Sequence, residues 1–172
     1  MKIEDDFLEE KEFVPIQKVL MSGQFAWFYM DMIDDGEDID KFQFIHNLYF
    51  NHAPTSEFLK TVEPILKKLN PMSLWRIKAN LLIRTPNIVE NTFHVDISDF
   101  SEEKLKQWTT SILYINTNNG YTKFEDGTIV ESVTNRLVTF PANLKHTGTS
   151  CTDKKTRIVI NFNYLDNGDG KV

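Results

Sequence analysis

The sequence predicts a mainly β chain, a double-sheet jelly-roll barrel with helical elements leading into it. Three observations carry this. From Leu74 onward, short β-like runs alternate with turn signals. One stretch before them has apolar residues at helical spacing, and no repeat, low-complexity tract or interdomain linker interrupts the chain. Many short strands with frequent turns indicate an antiparallel sandwich or barrel. The 172 residues suffice for one domain with a single core, 1–172, with the jelly roll over about 74–164.

Residues 1–12 are charged and are expected to fray. Residues 13–21 (FVPIQKVLM) suit either a strand or a short helix, and residues 24–33 are aromatic and strand-like. Asp34-Asp35-Gly36-Glu37-Asp38 is an acidic, turn-rich loop, followed by a strand over 40–50. Over 55–69, Phe58, Leu59, Val62, Ile65, Leu66 and Leu69 share a helical face, and Pro64 should kink or restart that helix. Strands are expected at 74–84, 92–97, 110–116, 121–125, 128–133, 136–140 and 156–164. Asn118-Asn119-Gly120 and Asp126-Gly127 break them. A short helix over Ser101–Gln107 would take Ser101 as its cap. Trp27, Phe28, Tyr29, Trp75 and Trp108 are most simply core.

Hydrophobic residues make up 41% and charged residues 26%, as in ordinary soluble globular chains. Thirteen Phe, five Tyr and three Trp argue against disorder. A net charge of −6 argues against nucleic acid or anionic lipid as the main partner, since phosphate binding needs a basic surface. Cys151 has no second cysteine to pair with, which fits a reducing compartment or simply a disulfide-free design. Met1 to Glu12 lacks the basic region and apolar stretch of a signal peptide, and no apolar run has the length of a membrane span. The expected location is the cytoplasm.

The chemistry-bearing pattern is His94-Val-Asp96, answered by His146 and then Arg157. Two imidazoles and one carboxylate can hold Fe(II) on one face and leave the other positions open. The pair alone is weak: with four histidines and 25 acids, roughly 0.6 such pairs arise by chance. Alternation along a strand would put His94 and Asp96 on one face. His146 closes another strand, and Arg157 opens the apolar run Arg157-Ile-Val-Ile-Asn-Phe, where a planar fork suits a carboxylate. Each residue also has a structural reading: hydrogen-bonded histidines, a surface arginine, and ordinary strand residues at Tyr114, Thr122 and Asn161. His46 and His52 lack an acid at the matching spacing and are taken as structural.

The order His94-Val-Asp96, Tyr114-Ile115-Asn116, Gly120-Tyr-Thr-Lys-Phe124, His146 and Arg157 resembles the double-stranded β-helix core of the 2-oxoglutarate/Fe(II) dioxygenases, nearest their prolyl-hydroxylase-like branch. The texture is also similar to short phage-encoded members, which would place the protein in a host cytoplasm. The resemblance covers about 70 residues well and 74–93 loosely. It implies Fe(II) on His94, Asp96 and His146, and the 5-carboxylate of 2-oxoglutarate on Arg157 and Tyr114. Thr122, Asn161 and Asn80 would line the co-substrate pocket, with O2 as the second co-substrate. One departure is clear: Leu82-Ile-Arg-Thr-Pro lacks the tyrosine that many members place before the HxD motif. Either Arg84 or Asn80 takes that place.

The implied function is hydroxylation of a C–H bond, on a protein side chain such as proline first, a small metabolite second and a nucleic acid third. That order rests on analogy. Two other classes compete: a cupin-like metal protein with non-oxidative chemistry, and a non-catalytic viral jelly roll that serves structure or interaction.

Overall fold

The structure, a computed structural model, describes residues 1–33 and 41–168. The expected acidic loop at 34–38 falls outside them. The strands are β1 (Lys2–Glu4), β2 (Phe28–Met30), β3 (Gln43–Phe50), β4 (Ala53–Pro54), β5 (Ser73–Ile83), β6 (Thr109–Tyr114), β7 (Tyr121–Phe124), β8 (Ile129–Glu131), β9 (Leu137–Pro141), β10 (His146–Gly148) and β11 (Thr156–Leu165). The α-helices are α1 (Glu10–Leu20), α2 (Glu63–Leu69) and α3 (Glu102–Leu105). The major sheet runs β1-β9-β6-β11-β5-β3-β2, with β4 beside β3, and the minor sheet runs β10-β7-β8. All these strand pairs are antiparallel. This is the jelly-roll architecture the turn-punctuated pattern predicts.

The major sheet has two differently filled faces because its central strands alternate. Ile77 and Ala79 of β5 and Ile158, Ile160 and Phe162 of β11 face the helices, in a core that includes Phe13, Ile16, Leu20, Val62 and Ile65. Ile112, Tyr114, Val138, Phe140 and Val159 face the minor sheet, where Phe124 and Val130 meet them. Ile97, Leu105, Trp108 and Ala142 form a smaller cluster, with Trp75 and Phe100 packed on it.

The helices are amphipathic supports. Phe13, Ile16 and Leu20 of α1 are buried, and each contributes about 1.5–3 kcal/mol. That burial, rather than propensity, holds a helix this short. Gln17 Nε2 also donates to Ile115 O at 2.7 Å. The stretch over 55–69 splits as expected: a 3-10 turn at Glu57–Val62 hands over to α2, and Pro64 sits in the first turn of α2, where its missing N–H costs nothing. Ser101 caps α3 by accepting from Lys104 N. No helix among the described residues is long and apolar enough to cross a membrane.

Three expectations are corrected. Residues 1–12 do not fray: β1 pairs with β9, Lys2 opposite Thr139, and Phe7 and Leu8 are only 3% and 2% exposed. Their charge masked this, because the docking is done by backbone and two apolar side chains. Residues 24–33 form only the three-residue edge strand β2, and Phe28 and Tyr29 are exposed rather than core. Residues 92–97 are not a strand. Their one pairing is an isolated bridge, with His94 N donating to His146 O and His146 N to His94 O, both at 3.0 Å.

Asn135 clamps the N-terminal segment. Its Oδ1 accepts from Leu8 N at 3.0 Å, its Nδ2 donates to Leu8 O at 2.8 Å, and its backbone O accepts from Phe7 N at 2.9 Å. Its φ of 60° lies in the left-handed region that asparagine tolerates. Asn135→Ala leaves Leu8's buried amide groups unpaired, each costing about 1–3 kcal/mol. The expected outcome is lower stability in urea and new proteolytic cleavage before Glu10, with the sheet retained.

Candidate metal centre and anion pocket

His94 reaches the barrel mouth on the segment that follows β5. That segment is pinned to β10, since Asn91 donates to Gly148 O through Nδ2 at 2.9 Å and through its backbone N at 3.3 Å. His146 opens β10 and is 3% exposed. The ligand atoms of His94, Asp96 and His146 all lie within 4.8 Å of one another. His94 Nδ1 donates to Thr92 O at 3.0 Å and His146 Nδ1 to Leu144 O at 3.3 Å. A nitrogen facing a carbonyl must carry a proton, so in the neutral ring Nε2 is the nitrogen left free to bind, the arrangement that backbone carbonyls impose on metal-binding histidines. Burial lowers the pKa of His146; Asp96 pulls it the other way, and His94 adds to the fall. The neutral ring, the form that binds metal, is therefore favoured. The set fits a divalent metal with N and O ligands.

Asp96 is fixed by its partners, not by a strand. Its carboxylate is 2% exposed and lies 3.0 Å from Arg76 Nη2. Asn163 Nδ2 donates to Oδ2 at 3.0 Å, and Asn161 Nδ2 spans both oxygens at 3.2 and 3.3 Å. Arg76 is itself aimed, since its Nε donates to Asn163 Oδ1 at 3.0 Å. Burial alone would raise the Asp96 pKa, but the charges of Arg76, then His146, Lys78 and His94, hold it well below the ordinary carboxylate range. Asp96 is ionised at neutral pH. The Arg76 Nη2 contact is one of charge only: that nitrogen is buried and makes no hydrogen bond.

Arg157 lies in the same pocket as the triad. It is 3% exposed, and its hydrogen bonds run from Nε to Ser132 Oγ at 2.8 Å and from Nη2 to Thr122 Oγ1 at 3.1 Å. No carboxylate pairs with it among the described residues. Burial pushes its pKa down, yet a guanidinium stays charged, so it is a buried cation without a counter-ion. Gly120 makes its room: a Cβ there would lie 2.6 Å from Ser150 O and 2.7 Å from Arg157 Cδ.

The other expected residues divide. Thr122, Asn161 and Asn80 line the pocket. Tyr114 lies behind it: its hydroxyl donates to Thr122 Oγ1 at 2.8 Å and its ring stands 5.6 Å from the Arg157 guanidinium. The choice between Arg84 and Asn80 is decided by placement. Arg84 is exposed, and its backbone bridges Cys151. His46 is structural, bonded to Ala26 O at 2.6 Å and Ser56 Oγ at 2.7 Å.

Sequence reasoning missed Arg76, Lys78 and Asn163. The signal was present as period-two alternation. Arg76, Lys78 and Asn80 interleave with Ile77 and Ala79, and opposite them Asn163, Asn161 and Val159 interleave with Phe162 and Ile160. Polar residues at every second position of a central strand mark a face turned to a cavity. Lys78 also lines the pocket. Burial, then the charge of Arg76, lower its pKa to about 8, with Asp96 opposing.

Removing one partner of a buried ion pair costs about 3–5 kcal/mol, so Arg76→Met should destabilise the metal-free protein by that order at neutral pH. Asp96 is held low in the wild type, so its contribution is present above the ordinary carboxylate value and lost as pH falls through its depressed one. In Arg76→Met burial dominates and the Asp96 pKa rises. Urea titrations at several pH values should show the gap at its fullest near neutrality and narrowing as pH falls through the carboxylate range. A constant gap would mean that Arg76 acts through packing alone.

No protein-family model matches the chain, and no curated protein matches it in sequence. Solved structures do match in fold. An oxidoreductase of the 2OG-Fe(II) oxygenase family from Burkholderia pseudomallei aligns with TM-score 0.65 at 10% identity, over 93% of this chain and 82% of its own. A prolyl hydroxylase from Trichoplax adhaerens, solved with a peptide of a hypoxia inducible factor, aligns with TM-score 0.64 at 10% identity over 96% and 83%. The viral collagen prolyl hydroxylase of Paramecium Bursaria Chlorella virus-1, solved with 2OG, aligns with TM-score 0.51 at 18% identity over 95% and 94%. The chain therefore has the jelly-roll fold of these structures, a 2OG-Fe(II) oxygenase family member and two prolyl hydroxylases.

Proposed function

We propose that the protein is an Fe(II)- and 2-oxoglutarate-dependent oxygenase that hydroxylates a C–H bond of a protein side chain, such as proline, or of a small molecule. One observation supports this above the rest: a buried Arg157 with no carboxylate partner among the described residues shares a pocket with the His94, Asp96 and His146 set. A cupin-like metal protein needs only the metal ligands, and an interaction module needs neither. A buried guanidinium without a counter-ion is costly unless an anion fills the place beside it.

Each residue then has a role its geometry supports. His94 and His146 would offer Nε2 to the metal, and Asp96 would offer the oxygen lone pairs that Asn161 and Asn163 leave free. Arg157, steadied by Ser132 and Thr122, would take the 5-carboxylate of 2-oxoglutarate and so orient the co-substrate's other end toward the metal ligands. Leu82, Ile112 and Val159 line the pocket with apolar surface and would limit water. When bound, Fe(II) with 2-oxoglutarate and O2 supplies the oxidation of a C–H bond, with succinate and CO2 as co-products.

The test is calorimetric titration of 2-oxoglutarate into the metal-free protein, with and without Mn(II) as a redox-silent substitute. Binding should strengthen with Mn(II). With Arg157→Lys it should weaken, because an ammonium does not reproduce the fork. Arg157→Ala should lose about 2–4 kcal/mol of binding while Mn(II) still binds. Unchanged 2-oxoglutarate affinity in Arg157→Ala would remove Arg157 from the co-substrate site.

Tyr114→Phe tests the layer behind. It removes the donor that holds Thr122 Oγ1 and keeps the ring. A neutral hydrogen bond contributes about 0.5–1.5 kcal/mol, so the 2-oxoglutarate requirement should rise several-fold, with the melting temperature nearly unchanged. No rise would mean that Arg157 positions Thr122 without help.

A further inference from the structure

One cation in the pocket has no role in the function proposed above. Lys78 projects from β5 on the face that also carries Arg76 and Asn80, opposite Asn161 of β11, and lines the cavity with His94, Asp96 and His146. Among the described residues its Nζ makes no hydrogen bond or ion pair. Asn161, opposite it, is bonded to Asp96, which places Lys78 at the metal end of the pocket.

The charges around it do not balance, on the reading of metal and co-substrate given above. A divalent metal is matched by Asp96 and the 1-carboxylate of 2-oxoglutarate, and Arg157 by the 5-carboxylate. Arg76 shares Asp96 with the metal, so among the described residues the cations of the pocket outnumber the anions, and Lys78 has no ion-pair partner of its own. Arg76 Nη2 is the one buried side-chain nitrogen or oxygen among the described residues that lacks a hydrogen-bond partner. A neutral substrate, such as a prolyl ring, would leave that excess positive charge uncompensated, and low-dielectric surroundings penalise that. Asp96 makes no hydrogen bond or ion pair to Lys78; its contacts are with Arg76, Asn161 and Asn163.

We propose that Lys78 is a substrate-specificity residue whose ammonium binds a carboxylate of the primary substrate beside the carbon to be oxidised. The substrate class is thereby narrowed to carboxylate-bearing molecules, either a free organic acid or an acidic side chain. The inference depends on the oxygenase reading for the metal and 2-oxoglutarate. It adds a second anion subsite, distinct from that of Arg157.

The experiment uses the full chain loaded with Mn(II) and saturated with 2-oxoglutarate. The probe is acetate, with acetamide as its uncharged counterpart, and the readout is paramagnetic relaxation of the probe's methyl protons by Mn(II), which reports only molecules near the metal. Relaxation should be strong for acetate and weak for acetamide. In Lys78→Met, which keeps the apolar stem, the acetate effect should fall by at least about tenfold, and Lys78→Arg should restore most of it. The 2-oxoglutarate affinity of Lys78→Met should stay within about twofold of the wild type. A blocked Gly-Asp-Gly peptide separates the two sources: relaxation of its aspartyl methylene supports an acidic side chain, and acetate relaxation alone supports a free acid. Equal relaxation by acetate and acetamide, or an acetate effect that survives in Lys78→Met, overturns the proposal. Loss of 2-oxoglutarate binding in Lys78→Met also overturns it, since Lys78 would then belong to the co-substrate site. If 2-oxoglutarate fails to bind the Mn(II)-loaded wild type, the oxygenase reading itself fails, a result distinct from the others.

Discussion

The antiparallel pairing of β5 with β11 is the constraint from which the site follows. Its register sets Arg76 opposite Asn163, Lys78 opposite Asn161, Asn80 opposite Val159 and Leu82 opposite Arg157. One face of the pair is apolar and packs on the helices. The other carries the charged and amide side chains that hold Asp96 and hang over the cavity. A slip of one residue would exchange the two faces, placing charges in the helix-facing core and aliphatic side chains around the carboxylate. The apolar face therefore fixes the register, and the polar face uses it.

The pattern of the sequence made much of this legible, and the exceptions have physical causes. The β5 and β11 runs, the helical stretch split at Pro64 and the Ser101 cap are set by local periodicity and turn chemistry. The segment around His94 reads as a strand because Phe93 and Val95 alternate with His94 and Asp96, but it gains only one bridge; tertiary hydrogen bonds place it instead. Residues 1–12 read as frayed because their charge is local information, whereas Asn135, which clamps Leu8, lies 127 residues away from it. Within the site, His94, Asp96, His146 and Arg157 were legible as an ordered motif. Arg76 and Asn163 were not, since their importance comes from pairing across two strands. Tyr114 was correctly placed inside, but the immediate partner of its hydroxyl is Thr122, a contact that spacing does not reveal.

The pocket concentrates unbalanced positive charge in low-polarity surroundings. Arg157 and Lys78 are both pushed toward lower pKa by burial, which expresses the folded state's cost of keeping them charged. A protein carrying such a cost is stabilised disproportionately by the ions that relieve it, because a ligand that binds only the folded form adds to folding free energy. Metal, co-substrate and substrate would each act on stability as well as on chemistry. Arg76 moderates this by holding Asp96 ionised and oriented before any ligand arrives.

The position of β11 also governs how the protein comes into being. It is the last strand among the described residues, yet it lies between β5 and β6 near the middle of the major sheet. Until it emerges, the flanking strands have their pairing edges open, and Asp96 lacks both asparagines. Arg76 and Asn163 are separated by 87 residues, a delay on the order of ten seconds at ordinary synthesis rates. The nascent chain must wait through that interval with unpaired β-edges, the state most prone to wrong association. The His94, Asp96 and His146 set is therefore fully braced only in a finished barrel.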